Sequence, residues 1–207
     1  MYAYCLNSPV NGCDPSGMRF QDPNCRSCGG RNEYTDAGTG TPYFYNQKDK
    51  NVKDKSVGLS TVGHSGCGPV AIYNAEVSLG HNPNFDDILD YFDTSNTLFF
   101  GFAGVLPNDV ISNFKDRAYT VVTTTDINKF SVVSDAADTC IMWYLYTTMD
   151  FPWIGGHYVQ YDRTELGYFA RNVFSDRNYK TFTCPENLAT CGSHFCALYI
   201  GIYAPRP

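Results

Sequence analysis

The chain has 207 residues, of which 43% are apolar and 15% aromatic, and a formal net charge of −6. This length and apolar content suffice for one globular domain with a short extension. The acidic balance and the scattered lysines and arginines argue against a nucleic-acid surface, and no apolar run reaches the roughly eighteen residues of a membrane span. Residues 1–5 lack the charged and apolar regions of a signal peptide, so we expect no signal peptide in this chain.

Residues 1–18 are rich in Asn, Pro and Gly, which favour chain reversals, and we expect an irregular arm here. The run Tyr-Cys-Leu-Asn-Ser-Pro-Val at 4–10, followed by Asp-Pro-Ser-Gly at 14–17, resembles the end of the RHS repeat-associated core. The resemblance implies that this segment closes a large β-shell and that a variable toxin domain follows it. Cys13 stands where that family usually has an aromatic or aliphatic residue before the Asp.

Residues 19–40 are polar and glycine-rich, as is typical of a linker. Cys25 and Cys28 within it have the two-residue spacing of zinc sites and redox pairs. They form a four-thiolate zinc site only if late cysteines join them, and a disulfide or free thiols explain one such pair more readily. The late cysteines are Cys184, Cys191 and Cys196. We therefore predict no cofactor and no metal, and because the chain has 9 cysteines, at least one thiol stays unpaired within it.

The stretch 63–80 joins a glycine-rich loop with one cysteine to an amphipathic helix. Pro69 suits the first helical position and Gly80 a left-handed stop, which places Gly68 at the N-cap and Cys67 just before the helix. The N–H groups at a helix start favour a thiolate, the nucleophilic form of cysteine. A small buried apolar residue fits the same pattern, so the cysteine alone leaves both roles open.

A histidine and an asparagine follow on two strand-like runs. His157 lies in the run 155–161 and Asn172 in the run 168–174, and a connection of hairpin length joins them. A hairpin of this kind brings the imidazole and the amide side by side. His64 lies too close to Cys67 on the same loop to be its base, and we interpret it as a cleft-lining or solvated residue.

Three short motifs together resemble the papain-like cysteine peptidases of the bacteriocin-processing, or double-glycine peptidase, type. They are Ser-Gly-Cys-Gly-Pro at 65–69, Tyr-Asn-Gln-Lys-Asp at 45–49 and Gly-His-Tyr-Val at 156–159. The likeness extends over residues 41–176, and it implies a papain-like fold whose active site lies where helix meets sheet.

The same resemblance implies a role for each matching residue. Cys67 is the nucleophile and His157 its base. Asn172 orients the histidine, and Gln47 contributes to the oxyanion hole. The family often has Asp at the orienting position, so Asp176 is a rival for Asn172.

The remaining elements follow from apolar spacing and capping residues. Helices are predicted behind three polar caps and strands in three β-branched or aromatic runs. The caps are Asn84, Asn108 and Asp126, and the runs are 119–124, 141–146 and 195–203. Helices followed by a mainly antiparallel sheet indicate an α+β protein.

The two resemblances predict three parts: the end of an RHS core at 1–18, a linker at 19–40 and a papain-like domain at 41–207. We expect acyl transfer through a thioester on a protein or peptide substrate, with protease, deamidase and transamidase outcomes open. The chain is then an effector delivered into a target cell as part of a larger RHS protein, with the shell of that protein and a possible immunity protein as partners. The alternatives are an inactive papain-like binding module and a metal-binding interaction domain that uses the late cysteines.

Overall fold

The computed structural model describes residues 40–93, 97, 104–148, 151–164, 167–173, 179–190 and 194–205. The RHS-like arm at 1–18 and the linker up to residue 39 lie outside the described residues, as do Asp176 and Cys191. In the described part of the chain, no helix has the length and apolar character needed to cross a membrane.

The described residues form six α-helices, one 3-10 helix and two groups of strands. The helices are α1 (Val62–Ser65), α2 (Cys67–Ser78), α3 (Phe85–Tyr91), α4 (Pro107–Lys115), α5 (Phe130–Ala136) and α6 (Pro185–Ala189), with the 3-10 turn at Ile127–Lys129. The strands are β1 (Ser56–Val57), β2 (Ser60–Thr61), β3 (Thr120–Thr124), β4 (Thr139–Thr148), β5 (Phe151–Thr164), β6 (Gly167–Arg171), β7 (Tyr179–Phe182) and β8 (His194–Tyr203).

Strands β1 and β2 form a small hairpin, and the other strands form one 6-stranded sheet in the order β3-β8-β4-β5-β6-β7. Every pairing in this sheet is antiparallel. The prediction of an α+β protein with helices and a mainly antiparallel sheet is therefore confirmed. Alternate strand residues face opposite sides, so Tyr158 joins the apolar cluster around α2 while Val159 joins the cluster around α5 and α6.

Two of the three predicted helix caps are confirmed. The side chain of Asn84 accepts a hydrogen bond from the N–H of Asp86 at the start of α3, at 3.1 Å. Asp126 accepts one from the N–H of Asn128, also at 3.1 Å, and so caps the 3-10 turn that leads into α5. Asn108 is not a cap, because α4 already begins at Pro107. Proline suits a first helical position since the N–H it lacks would have no helical partner there.

Helix α2 ends as predicted but begins earlier. Gly80 has φ +82, and the N–H groups of Gly80 and His81 each donate to helix carbonyls at 3.0 Å, which is a left-handed helix stop. At the other end Gly66, not Gly68, is the N-cap, so Cys67 lies inside the first turn. The reason is that α1 leads straight into α2 through a bond from the N–H of Gly66 to the carbonyl of Val62.

The expected amphipathic character of α2 is wrong, since all of its residues from Cys67 to Val77 are buried. Its buried polar side chains have partners from other parts of the chain. Asn74 exchanges two hydrogen bonds of 2.8 Å with the backbone of Phe44. Glu76 pairs with Arg117 at 2.7 Å and with His81 at 2.6 Å. Elements on all sides of α2 therefore bury it, and its polar residues do not mark a solvent face.

The hairpin of β5 and β6 depends on Gly167. This residue has φ +125, and a Cβ here would overlap the backbone carbonyl of Phe182 on β7. We expect Gly167→Ala to lower the free energy of unfolding by about 2 kcal/mol or more, because the side chain meets both a disfavoured φ and an immovable neighbour. This corresponds to a melting temperature lower by roughly 4–8 °C.

Gly80→Ala is the matched control, since Gly80 also has positive φ but no atom lies within 4 Å of an added Cβ. It should cost only about 1 kcal/mol. Thermal unfolding of both variants by circular dichroism tests the difference, and equal losses would show that the contact with Phe182 carries no energy.

Candidate active site

Cys67 is the first residue of α2 and is 8% exposed. The backbone N–H groups of Tyr158, Gly68 and Cys67 itself interact with its sulfur and favour the thiolate. Burial acts in the opposite direction and is the larger effect, so the pKa of the Cys67 thiol lies above its usual value. The N–H groups at the helix start thus act in the predicted direction, but the loss of solvation exceeds their effect, so the thiol is favoured over the thiolate.

The segment Gly104–Val105 packs against the start of α2. A Cβ added to Gly68 would overlap Cγ2 of Val105, so the Val105 side chain packs directly on the backbone of Gly68. Tyr158 donates a hydrogen bond of 3.0 Å from its hydroxyl to the Val105 carbonyl. Gly104 has φ +80, which lets the chain turn against the carbonyl of Ser65. These contacts lie on both sides of Cys67 in the sequence, at Ser65 and at Gly68.

Two pairs of contacts place α2 along β5. Gly68, near the start of α2, lies against Tyr158, and Ser78, its last residue, donates a hydrogen bond of 2.5 Å to Asp162. The ten-residue rise of the helix is about 15 Å, and four residues of strand span about 13 Å. The two elements are therefore matched in length between these contacts, with the nucleophile candidate at the end where β5 carries His157.

His157 lies on β5 opposite Tyr144 of β4, and it is 6% exposed. The two rings meet edge to face with centroids 5.7 Å apart. Nε2 of His157 lies 2.6 Å from the main-chain carbonyl oxygen of Asn172. A carbonyl only accepts hydrogen bonds, so Nε2 must carry the proton, and in the neutral ring Nδ1 keeps its lone pair. His157 is thus held in the tautomer that leaves Nδ1 as a base.

Asn172 follows the last residue of β6 and has φ +58, a left-handed conformation that asparagine tolerates better than most residues. Its N–H donates to the carbonyl of Tyr45 at 3.1 Å. Its side chain accepts from the N–H of Gln47 at 3.0 Å and donates to Oε1 of Gln47 at 3.3 Å. The main-chain carbonyl of Asn172 therefore contacts the imidazole, and its amide side chain binds Gln47.

Gln47 connects this group to the chain just before Cys67. Its side-chain Nε2 donates to the carbonyl of Gly63 in α1 at 3.3 Å. The structure thus brings Gln47, Asn172 and His157 into one hydrogen-bonded group. Cys67 lies beside that group through the N–H of Tyr158, the residue that follows His157.

Two further residues near this group were not anticipated from the sequence. Tyr146 lies on β4 opposite Gly155, where a Cβ would overlap the Tyr146 ring. Burial raises the pKa of Tyr146, and a charge on Cys67 raises it further, so the hydroxyl stays protonated near the thiol.

Arg171 precedes Asn172, is 4% exposed and pairs with Asp162. A lone arginine in an otherwise apolar strand was the only sequence signal for this pair.

The other described histidines have separate environments. His64 is exposed, and its Nδ1 lies 3.3 Å from the hydroxyl of Ser60. His81 lies 2.6 Å from Glu76 and 3.0 Å from the hydroxyl of Tyr119. His64 and His81 therefore have hydrogen-bond partners outside the group of Gln47, Asn172 and His157.

Cys140 and Cys184 are free thiols, like Cys67. Burial raises the pKa of Cys140 to about 12. Among the residues that the structure describes, no cluster of three or more His, Cys, Asp or Glu side chains is arranged to hold a metal ion. Cys25, Cys28 and Cys191 of the alternative zinc site, and the side chain of Cys196, lie outside the described part.

Comparison with protein-family models gives no match for this chain, and comparison with curated proteins gives none either. The candidate site therefore depends on its own geometry and on the motifs that the sequence carries.

The raised pKa of Cys67 predicts a pH effect on stability. In the folded protein this pKa lies above the value of 9.0 for a free thiol, so the native state holds its proton more tightly than the unfolded chain does. The resulting stabilisation is complete below pH 9 and is lost as the pH rises through the folded-state pKa. Above pH 9 the free energy of unfolding should fall more steeply for the wild type than for Cys67→Ala, by up to about 1.4 kcal/mol per pH unit.

Urea unfolding between pH 8 and 10.5 measures these slopes. Cys140→Ala is the matched variant, and it should flatten the slope in the same way because the pKa of Cys140 is raised to about 12. A steeper slope for Cys67→Ala than for the wild type would show that the native state favours the Cys67 thiolate.

Proposed function

We propose that this chain is a cysteine peptidase or a related thiol acyl-transfer hydrolase of papain-like fold that acts on a protein or peptide amide. One observation supports this most directly. The Nε2–H of His157 is bound to the Asn172 carbonyl, which leaves Nδ1 as a base on the strand whose next N–H meets the sulfur of Cys67.

The proposed reaction starts from a neutral thiol, in agreement with the raised pKa of Cys67. Nδ1 of His157 takes the thiol proton as the sulfur attacks the substrate carbonyl carbon. The tetrahedral intermediate then collapses, the C–N bond breaks, and the imidazolium gives its proton to the leaving amine. A water molecule, deprotonated by His157, hydrolyses the thioester and restores the thiol.

Two donors are suited to the negative oxygen of that intermediate. The backbone N–H of Cys67 lies at the start of α2, where such groups have no helical partner. The side-chain amide of Gln47 uses one hydrogen for Gly63 and has a second to donate. Removing one donor of this kind typically lowers the rate on the order of 10²–10³.

The biological part of the proposal depends on the order of the two sequence motifs. An RHS-end motif at 1–18 followed by a thiol hydrolase is the order of a polymorphic toxin, with the shell-closing segment first and the effector after it. We infer that the domain at 41–207 is such an effector and modifies a protein in the target cell. The net charge of −6 agrees with a protein substrate, since binding a phosphate backbone needs positive charge.

One observation favours a second function, a papain-like binding module without activity. Cys67 is only 8% exposed, and the segment Gly104–Val105 packs against its loop. An active enzyme must expose the sulfur to a substrate, whereas a binding module has no need to. The reactivity of the thiol distinguishes the two functions.

If His157 is the base for Cys67, the His157→Ala variant should react with iodoacetamide at Cys67 more slowly than the wild type. We expect a reduction of about tenfold or more at pH 7.5, because general-base assistance by a placed imidazole is usually worth about 10² or more. Mass spectrometry of tryptic peptides over a time course measures the rate at each cysteine.

His64→Ala is the matched control, since His64 is an exposed histidine three residues from Cys67 in the sequence. It should leave the rate at Cys67 unchanged, and the half-buried Cys184 provides an internal reference rate. Equal rates at Cys67 in both variants would favour the binding module.

Expression of the full chain in a bacterial cytoplasm tests the effector proposal. The wild type should impair growth, and Cys67→Ala or His157→Ala should restore it, because either change removes the acyl-transfer step. Cys184→Ala, which alters a thiol outside the site, should remain as harmful as the wild type. Equal growth of all four strains, with soluble protein shown in each by immunoblotting, would exclude the toxin proposal for that host.

A further inference from the structure

Arg171 forms a buried ion pair at the edge of the candidate site. Its guanidinium donates to Oδ2 of Asp162 and, at 2.8 Å, to Oε1 of Gln160. The same group stacks on Tyr43, with its central carbon 3.7 Å from the ring centroid. Arg171 is 4% exposed, so this contact lies almost wholly outside water.

Asp162 continues the network toward α2 and β4. Its Oδ1 accepts hydrogen bonds from Ser78 at 2.5 Å, from Thr139 at 2.8 Å and from Gln160 at 2.7 Å. Ser78 is the last residue of the helix that begins with Cys67. The network around the ion pair thus joins four elements: the end of α2, the start of β4, strand β5 with His157, and the end of β6.

The chain segment 43–47 lies against the end of β6 through three successive contacts. Tyr43 stacks under Arg171, the carbonyl of Tyr45 accepts the N–H of Asn172, and Gln47 exchanges two hydrogen bonds with the Asn172 side chain. The stack on Arg171 therefore holds one end of the segment whose other end carries Gln47.

Stability alone is a weak reason to keep such a pair. Replacing a buried ion pair with apolar residues is often neutral or stabilising, because both charges lose their hydration. Within the described residues, the Nε of Arg171 has no hydrogen-bond partner, which adds a further cost of burial. A network that is poorly optimised for stability but joins four elements is better explained by the positions of the groups that it holds.

We propose that Arg171, paired with Asp162, is a positioning residue that holds the Asn172 carbonyl against Nε2 of His157. Asn172 follows Arg171 directly and takes up a left-handed conformation, so its carbonyl direction depends on how the preceding residue is held. Through Tyr43 the same guanidinium fixes the segment that carries Gln47. The role in catalysis rests on the proposed function, but the effect on the imidazole does not.

The test uses the full chain with 15N-labelled histidine, in which NMR shows which ring nitrogen carries the proton. In the wild type, His157 should be protonated at Nε2 in its neutral form. The double variant Arg171→Met/Asp162→Asn removes both charges together, which avoids leaving one of them buried and unpaired. We expect the ratio of Nε2–H to Nδ1–H forms to fall by about tenfold, the loss expected when one hydrogen bond is no longer held.

The matched control is Arg117→Met/Glu76→Gln, which removes the ion pair between the buried Glu76 of α2 and the exposed Arg117. The further partners of Glu76 are His81 and Tyr119. This control variant should lower the melting temperature without changing the His157 tautomer. If the Arg171 variant also loses stability and keeps the wild-type tautomer, the pair is only structural and the inference is wrong.

Two more measurements complete the test. If the double variant fails to fold, Arg171→Lys decides, since lysine keeps the charge but lacks the planar group that stacks on Tyr43 and binds Gln160. An unchanged tautomer ratio there would overturn the inference, and a partial shift would support it. The iodoacetamide experiment separates this inference from the proposed function. If the double variant shifts the tautomer but Cys67 is labelled equally fast in the wild type and in His157→Ala, the positioning role of Arg171 is supported and the proposed enzyme is not.

Discussion

Helix α2 is buried from Cys67 to Val77, and this burial requires each of its polar groups to find a partner inside the protein. Asn74 binds the backbone of Phe44, and Glu76 binds Arg117, His81 and Tyr119. Ser78 binds Asp162 on β5, and the sulfur of Cys67 meets the N–H of Tyr158. The partners come from the segment before the helix, from the chain after α4, and from the sheet, so satisfying one helix fixes the positions of the other elements.

Local patterns in the sequence predicted much of the fold because the signals are themselves local. Asn84 caps its helix through its own side chain, and Gly80 stops α2 because glycine tolerates positive φ. The apolar runs of β4, β5 and β8 likewise indicated strands. Helix α2 shows where such patterns fail. Its polar residue Glu76 suggested a solvent-facing side, but Glu76 is buried because it pairs with Arg117, a residue distant in the sequence. The short strands β1 and β2 had no apolar pattern to mark them.

The candidate site was also predicted from the sequence only in part. Motifs singled out Cys67, His157, Asn172 and Gln47, and the structure brings the last three into one hydrogen-bonded group. The sequence did not indicate that Asn172 presents its carbonyl to the imidazole and its amide to Gln47, because this depends on the left-handed backbone at the end of β6. The sequence also predicted a thiolate at Cys67, because a helix start is visible in a sequence and the burial that raises the pKa of this thiol is not.

The position of β8 in the sheet sets the order in which this protein can assemble. It comes last among the described strands, yet it lies between β3 and β4 and pairs with both. Until residues 194–203 have left the ribosome, β3 has no partner in the sheet and one edge of β4 is open. Such pairings between distant parts of a chain form slowly, and open strand edges invite association with other chains. Synthesis therefore leaves the chain without a finished sheet until its last described strand arrives, and β4, the neighbour of the strand that carries His157, has both of its partners only then.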